Sequence, residues 1–337
     1  MAGQESLVMW GAGAIGGSIA AHLIRAGTDV LLVDSDEAHV AAINGNGLRL
    51  TGPIADFTVG AKAVTPSAVT GTFDHVFLAV KGHHTTGAAA AIAPHLAPGG
   101  VVVSLQNGLN GEAIAAAVGR ERTMLALVNF ASDVTSPGVI HYGGRGRAVL
   151  GELDGTITAR LQALVDMLHA FDPAVSGSEN VLGFLWGKLG YGSLLIGTAL
   201  TSETIPVLLD NPALRPILAG IGRELMQAAA AEGVRPVGVD GFDAEAFLAG
   251  DLNRMNASFQ KMADHYRHSE KNRTGVWRDL AVRKRPTEVS ALLEPVIRIG
   301  ERHGLSMPLT TRLVRSITEI ENGLRDFAVR NLTDLAA

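Results

Sequence analysis

Lys188 is the only charged side chain in residues 181–200, a run otherwise made of apolar, small and neutral polar residues. Burial disfavours an ammonium and lowers its pKa toward neutrality, which suits a group that donates a proton to a substrate oxygen near pH 7. The plainer reading is a lysine whose stem lies along a helix edge and whose head reaches water. Far away in the chain, Gly11-Ala12-Gly13-Ala14-Ile15-Gly16 has the spacing G-x-G-x-x-G, and Asp34 stands 18 residues beyond Gly16. In such a pattern the first glycine permits a tight turn, the second lets a pyrophosphate approach the backbone, and the third lets helix and strand pack closely. The N–H groups that open the helix then face the phosphates. A carboxylate at Asp34 accepts hydrogen bonds from an adenosine ribose 2′-OH and repels a 2′-phosphate, so NAD is expected in preference to NADP, which remains the second choice. Hydride transfer at a nicotinamide also needs a proton partner for the substrate oxygen, and Lys188 is the best candidate.

A glycine-rich turn in an unrelated α/β protein would share the spacing without the context, and here the context is present. Apolar residues 7–10 precede the glycines, an amphipathic stretch over 15–26 ending at Gly27 follows them, and a second strand over 29–33 delivers Asp34. Apolar strands over 76–80, 101–105 and 124–129 alternate with helical stretches, one of them near 38–44, which implies a parallel sheet covered on both faces. Residues 48–50 and 57–63 read as a hairpin insertion turning at Gly52-Pro53. Residues 139–142 and 148–150 read as two short strands turned by Gly143-Gly144-Arg145-Gly146-Arg147. After Asp172-Pro173 and Ser176-Gly177-Ser178 the pattern becomes helical, over 181–200, 214–232, 244–266, 287–303 and 310–321. The expected fold is an α/β N-terminal domain of Rossmann type, doubly wound, over residues 1–175, and an all-α C-terminal domain over 178–337. Ligands are expected in the crevice between them, beside the carboxyl ends of the strands.

The 337 residues, 47% hydrophobic and 18% charged, have room for one or two full cores. A net charge of −5 argues against a nucleic acid or an acidic membrane surface as partner. The absence of cysteine excludes disulfides, thiolate metal sites and a cysteine nucleophile. No basic segment leading into an apolar core opens the chain, so a cytoplasmic location is expected. Residues 181–200 are long enough to span a membrane. However, Gly183, Gly187, Gly190, Gly192 and Gly197 offer close packing faces, and together with Lys188 they favour a buried helix between the domains. His83-His84, and His265 with His268, lack an evident third ligand, so no metal is expected. The basic stretch 278–285 reads either as a solvated helix-cap region or as a guanidinium clamp for a carboxylate.

Several short motifs stand in a telling order: the N-terminal glycines, Val80-Lys81, Leu105-Gln106-Asn107-Gly108-Leu109, the segment from Gly138 through Gly151-Glu152, then Trp186-Gly187-Lys188-Leu189, Thr287-Glu288-Val289 and His303-Gly304-Leu305. Through them nearly the whole chain resembles the ketopantoate reductases (2-dehydropantoate 2-reductases) of the 6-phosphogluconate-dehydrogenase-like superfamily. The resemblance implies that Lys188 is the general acid. It implies that Glu288 lies in the active-site cleft, orienting substrate or lysine, and that Asn107 sits near the nicotinamide, serving the substrate oxygen or the ribose. Lys81 matches a lysine at the cofactor groove, and Ala131 a position whose backbone touches the cofactor. From the residues alone, Glu288 would be a charge favoured at a helix start and Lys81 an ordinary strand-end charge.

The departures from the family are as informative. Where its lysine is followed by asparagines four and eight positions later, this chain has Gly192 and Ile196, counted here as substrate-lining positions. Losing two amides removes hydrogen bonds worth about 1 kcal/mol each and makes the pocket more apolar. The family's serine-rich substrate segment is replaced by Arg273-Thr274-Gly275-Val276-Trp277-Arg278-Asp279, with Thr274 as the surviving hydroxyl, and Glu294-Pro295 stands where Asn-Gly is usual. Asp34 takes the place of the basic side chain that NADP users generally carry. The expected function is reduction of a 2-oxo acid to its 2-hydroxy acid, of the 2-dehydropantoate 2-reductase type. The alternatives are a paralogous dehydrogenase for a less polar keto or hydroxy compound, and a dinucleotide sensor without turnover, which would have no need of Lys188. Expected partners are a small keto acid, with no nucleic acid and no membrane; a homodimer is left open.

Overall fold

The computed structural model describes residues 7–267 and 272–336. The chain separates into two compact units, Met1–Val181 and Leu182–Ala337. The first contains β1 (Leu7–Trp10), α1 (Ala14–Arg25), β2 (Val30–Val33), α2 (Glu37–Asn46), β3 (Leu48–Thr51), β4 (Phe57–Val59), β5 (Lys62–Val64) and β6 (Phe73–Leu78). It continues with α3 (Thr85–Ile92), β7 (Leu96–Ser104), α4 (Gly111–Val118), β8 (Thr123–Ser136), β9 (Val139–Glu152), α5 (Ala159–Leu168) and β10 (Ser176–Gly177). One sheet results, in the order β4-β3-β9-β8-β7-β6-β1-β2-β5, with β10 beside β9. From β8 to β5 neighbouring strands run parallel.

The central strands are apolar on both faces because both faces are covered. Leu7, Met9, Leu32, Phe77 and Val103 enter one core with residues of α1 and α5, while Val8, Trp10, Val33, Val76 and Val102 enter another with residues of α3 and α4. Alternation along each strand thus feeds two helical layers, the doubly wound arrangement expected from the sequence.

Residues 57–63 do not form one hairpin arm. Phe57–Val59 pairs antiparallel with β3, but Lys62–Val64 departs to pair parallel with β2. Asn44 of α2 fixes that crossing, donating to the Ala63 carbonyl at 2.8 Å and accepting from the Ala63 N–H at 2.9 Å. Nor does the glycine run 143–147 turn the chain. β9 is one strand of 14 residues, paired with β8 through several register shifts. A Cβ on Gly146 would lie 1.6 Å from the Asn129 carbonyl oxygen, so this glycine permits a close strand approach, where a turn had been expected.

The second unit follows through α6 (Val181–Thr198), α7 (Ile205–Asp210), α8 (Arg215–Ala231), α9 (Ala244–Ala249), α10 (Leu252–Arg267), α11 (Gly275–Arg278), α12 (Val289–Arg302), α13 (Pro308–Glu321) and α14 (Arg330–Thr333). Residues 244–266, expected as one helix, are two. Gly250 ends α9 in the left-handed conformation, and Asp251 restarts the chain by accepting from the N–H groups of Asn253 and Arg254 at 3.1 Å. No described helix is long and apolar enough to cross a membrane.

Candidate active site

In the first unit, β1 passes into α1 through Gly11, whose φ of +105° suits glycine alone and whose absent Cβ would strike the Ala79 carbonyl carbon at 2.7 Å. Gly16 packs so closely that a Cβ would lie 2.0 Å from the Gly11 carbonyl oxygen. Gly13 differs from both, since a Cβ there would meet nothing within 4 Å. It is the N-cap of α1 and no side chain caps the helix, so the first-turn N–H groups at Ala14 and Ile15 are left to a ligand or solvent. Space beside Gly13 and an uncapped helix N-terminus fit a dinucleotide pyrophosphate.

Asp34 ends β2 and closes over the same turn. Its Oδ2 accepts from the Ala12 N–H at 2.9 Å and its Oδ1 from the Asp36 N–H at 3.0 Å. Asp34 therefore braces the glycine loop, and the Ala12 N–H is committed to it. A second brace, which the sequence analysis missed, is His39 on α2. Its Nδ1 accepts from the Gly138 N–H at 3.0 Å, so Nε2 bears the proton and donates to the Ala12 carbonyl at 3.0 Å. The available signal was a histidine four residues before Ile43, these two being the buried residues of α2.

Lys81 and Asn107 are exposed residues just beyond β6 and β7. Buried Gln106 ties the two loops together, donating through Nε2 to the Val80 carbonyl at 2.9 Å and to Thr85 Oγ1 at 2.8 Å. Gly108 at φ +92° turns the chain away, and Asn110 donates to the Asn107 carbonyl at 2.8 Å. Ala131 lies on β8 opposite Gly144, between two register shifts.

In the second unit, Lys188 sits in the middle of α6, partly buried. Desolvation lowers its pKa to about 8, opposed by the negative charge of Asp240. One turn on, the Tyr191 and Tyr266 hydroxyls meet at 2.5 Å, and burial raises the pKa of both. Gly192 has open space where a side chain would stand, and Ile196 is buried.

Thr274 caps α11, its Oγ1 accepting from the Trp277 N–H at 2.9 Å, so its oxygen is partly committed to the fold. Glu288 precedes α12 and is half-buried; its side chain does not cap the helix. Neighbouring Thr287 is anchored by its N–H to Glu321 at 2.8 Å. In the basic stretch, Arg283 and Arg285 both donate to the buried carboxylate of Asp279 at 3.0 Å, so the anion they clamp is the protein's own. Arg273 donates to the Ser202 carbonyl and lies over the Trp277 ring at 4.6 Å. His268 lies outside the described residues. Among those described, no group of three His, Cys, Asp or Glu is arranged to hold a metal.

Comparison with known proteins agrees with this layout. The model of ketopantoate reductase PanE/ApbA matches residues 7–155, and that of the ketopantoate reductase PanE/ApbA C terminal matches 180–321. A 2-dehydropantoate 2-reductase of Mesorhizobium japonicum is 29% identical over 318 residues, 87% of this chain and 91% of that protein. A PanE/ApbA family ketopantoate reductase from Ralstonia eutropha JMP134 superposes with a TM-score of 0.80 at 27% identity, covering 95% of this chain and 99% of the other. D-mandelate dehydrogenase in its ternary structure with NADH and anilino(oxo)acetate shares the fold, with a TM-score of 0.79 at 21% identity and coverage of 95% and 99%. With family matches running through both units, the chain belongs to the ketopantoate reductase PanE/ApbA family of nicotinamide-dependent oxidoreductases acting on CH–OH groups.

Proposed function

We propose that this protein reduces a 2-oxo acid to its 2-hydroxy acid in the manner of a 2-dehydropantoate 2-reductase, preferring NADH to NADPH. Residues 1–175 form the dinucleotide-binding part and 178–337 the substrate part. The observation that carries the reading is Lys188, the sole charge of an apolar helix, desolvated to a pKa of about 8. A dinucleotide sensor has no use for such a costly group; a reductase does.

A bound nicotinamide supplies the hydride. Gly11, Gly13 and Gly16 with the opening N–H groups of α1 would hold its pyrophosphate, Asp34 its adenosine ribose, and Lys81, Asn107 and Ala131 the remainder. Lys188 donates its proton to the substrate oxygen, Glu288 orients substrate or lysine, and Thr274 offers a hydroxyl to the substrate. Lys188→Ala should retain cofactor affinity while losing on the order of 10² or more in kcat, the usual contribution of a positioned proton donor.

A specific observation favours a substrate less polar than ketopantoate. The family's amides are absent at Gly192 and Ile196, and Gly192 faces open space. A polar hydroxylated side chain would lose partners there, whereas a bulkier apolar one would gain room. The ternary structure of D-mandelate dehydrogenase with NADH and anilino(oxo)acetate, a ligand with an aromatic ring, supports this reading. The test is a panel of 2-oxo acids with NADH and NADPH, followed by the absorbance of the reduced cofactor. We expect poor kcat/KM with ketopantoate beside a bulkier apolar 2-oxo acid, and partial recovery in the double variant Gly192→Asn, Ile196→Asn. If the unaltered protein prefers ketopantoate, the less polar substrate is wrong and the 2-dehydropantoate 2-reductase reading stands.

A further inference from the structure

Asp240 is one of two non-glycine residues among those described with a backbone at positive φ, here +48°. An aspartate in that region carries a conformational cost that glycine would not. The loop bearing it is built against α6. The Gly183 carbonyl accepts from the Val237 N–H at 2.9 Å. A Cβ on Gly187 would lie 1.7 Å from the Val237 carbonyl oxygen, and one on Gly190 would strike the Phe242 ring at 2.7 Å. Spaced by four and three residues, these glycines form one stripe along the helix, and the loop lies on it. On its other side, Ser258 of α10 donates to the Gly241 carbonyl at 2.8 Å and accepts from the Asp243 N–H at 3.1 Å. The flanking charges are engaged with one another, Arg254 with Asp243 and Arg235 with Glu245, each at 2.9 Å. Lys188 follows Gly187 directly, and Tyr191 stands one turn beyond it.

We propose that Asp240 is a positioning residue for Lys188: docked on the glycine stripe of α6, its loop holds a carboxylate where it keeps the buried ammonium charged and directed for proton donation. This rests on Lys188 being the proton donor. Asp240 places a negative charge near Lys188, and that charge opposes the effect of burial. The same carboxylate bears on Tyr191 and Tyr266, whose hydroxyls it helps to keep neutral. Without it, the apolar helix would leave a larger share of the enzyme with no proton to give at neutral pH.

The test uses the full-length protein with lysine isotopically labelled at Cε and Nζ, the Lys188 signal being identified by its loss in Lys188→Ala. Asp240→Asn keeps the shape and tolerates the left-handed backbone, and Asp240→Gly relieves the backbone altogether, so at least one folded variant is expected. In both, Lys188 should titrate about half a pH unit or more lower than in the wild type. The descending limb of kcat/KM for 2-oxo acid reduction should move with it. A Lys188 titration unchanged in both variants overturns the proposal. If the titration moves while the kinetic limb stays, Asp240 does act on Lys188 but Lys188 is not the proton donor.

Discussion

A methyl group added at Gly13 would touch nothing, whereas one at Gly16 would lie 2.0 Å from a backbone oxygen. Gly16→Ala should therefore cost about 1–3 kcal/mol of stability, read as a lower urea midpoint. Gly13→Ala should leave the midpoint near that of the wild type and weaken dinucleotide binding by calorimetry; unaltered binding would mean that the space beside Gly13 is not the pyrophosphate's. Lys188 can be tested on stability as well as on rate. Its pKa is about 8 in the folded protein against an ordinary 10.5. Between those values the unfolded chain binds more protons at this residue, so the Lys188 contribution to stability should rise with pH from about 8 to 10.5. Lys188→Met removes the desolvation cost and should melt higher at pH 7, by an amount on the order of 1–3 kcal/mol. That advantage should shrink as pH approaches 10.5. A variant that melts lower than the wild type at pH 7 would show that Lys188 pays no desolvation cost.

At the scale of elements, α6 contains two glycines with opposite roles. Gly187 lets the 237–242 loop dock, so Gly187→Ala must push that loop away and should cost about 1–3 kcal/mol. A Cβ on Gly192 would meet nothing within 4 Å, and Gly192→Ala should be neutral or stabilise by up to about 1 kcal/mol through helix propensity. Paired denaturation curves check both, and equal effects would contradict the packing of the glycine stripe. The contrast also marks how far the sequence can be read. β1, α1 and β2 were legible because a strand, a turn and a helix are physically required around Gly11, Gly13 and Gly16. β9 was not, because Gly143, Gly144 and Gly146 are chemically indistinguishable from turn glycines until the partner strand is placed. The division of α9 from α10 was hidden for the opposite reason, Gly250 lying inside an otherwise continuous helical pattern. Lys188 announced itself by charge in an apolar run, and Asp34 by its place at the end of the apolar strand that follows the glycine motif. His39, Gln106 and Asp240 act through backbone groups or charges distant in sequence, so no local spacing reveals them.

On the scale of the whole molecule, binding and folding are linked, since a ligand held by the folded protein and not by the unfolded chain stabilises it by about 2.7 kcal/mol at one hundred times its Kd. Cofactor preference therefore becomes a melting-temperature measurement that needs no substrate. The protein carries a net charge of −5, and Asp34 adds a carboxylate at the expected site of the adenosine ribose, so a 2′-phosphate meets repulsion there. NADH should raise the melting temperature more than NADPH at equal concentration. Asp34→Arg should act in two separable ways. Without the acceptor for the Ala12 and Asp36 N–H groups, the ligand-free variant should melt lower than the wild type. Measured from that new baseline, the ranking should reverse, because a guanidinium attracts the 2′-phosphate and no longer accepts from ribose hydroxyls. A wild-type protein stabilised at least as strongly by NADPH as by NADH would remove Asp34 as the determinant of cofactor choice and leave it only the bracing of the glycine loop.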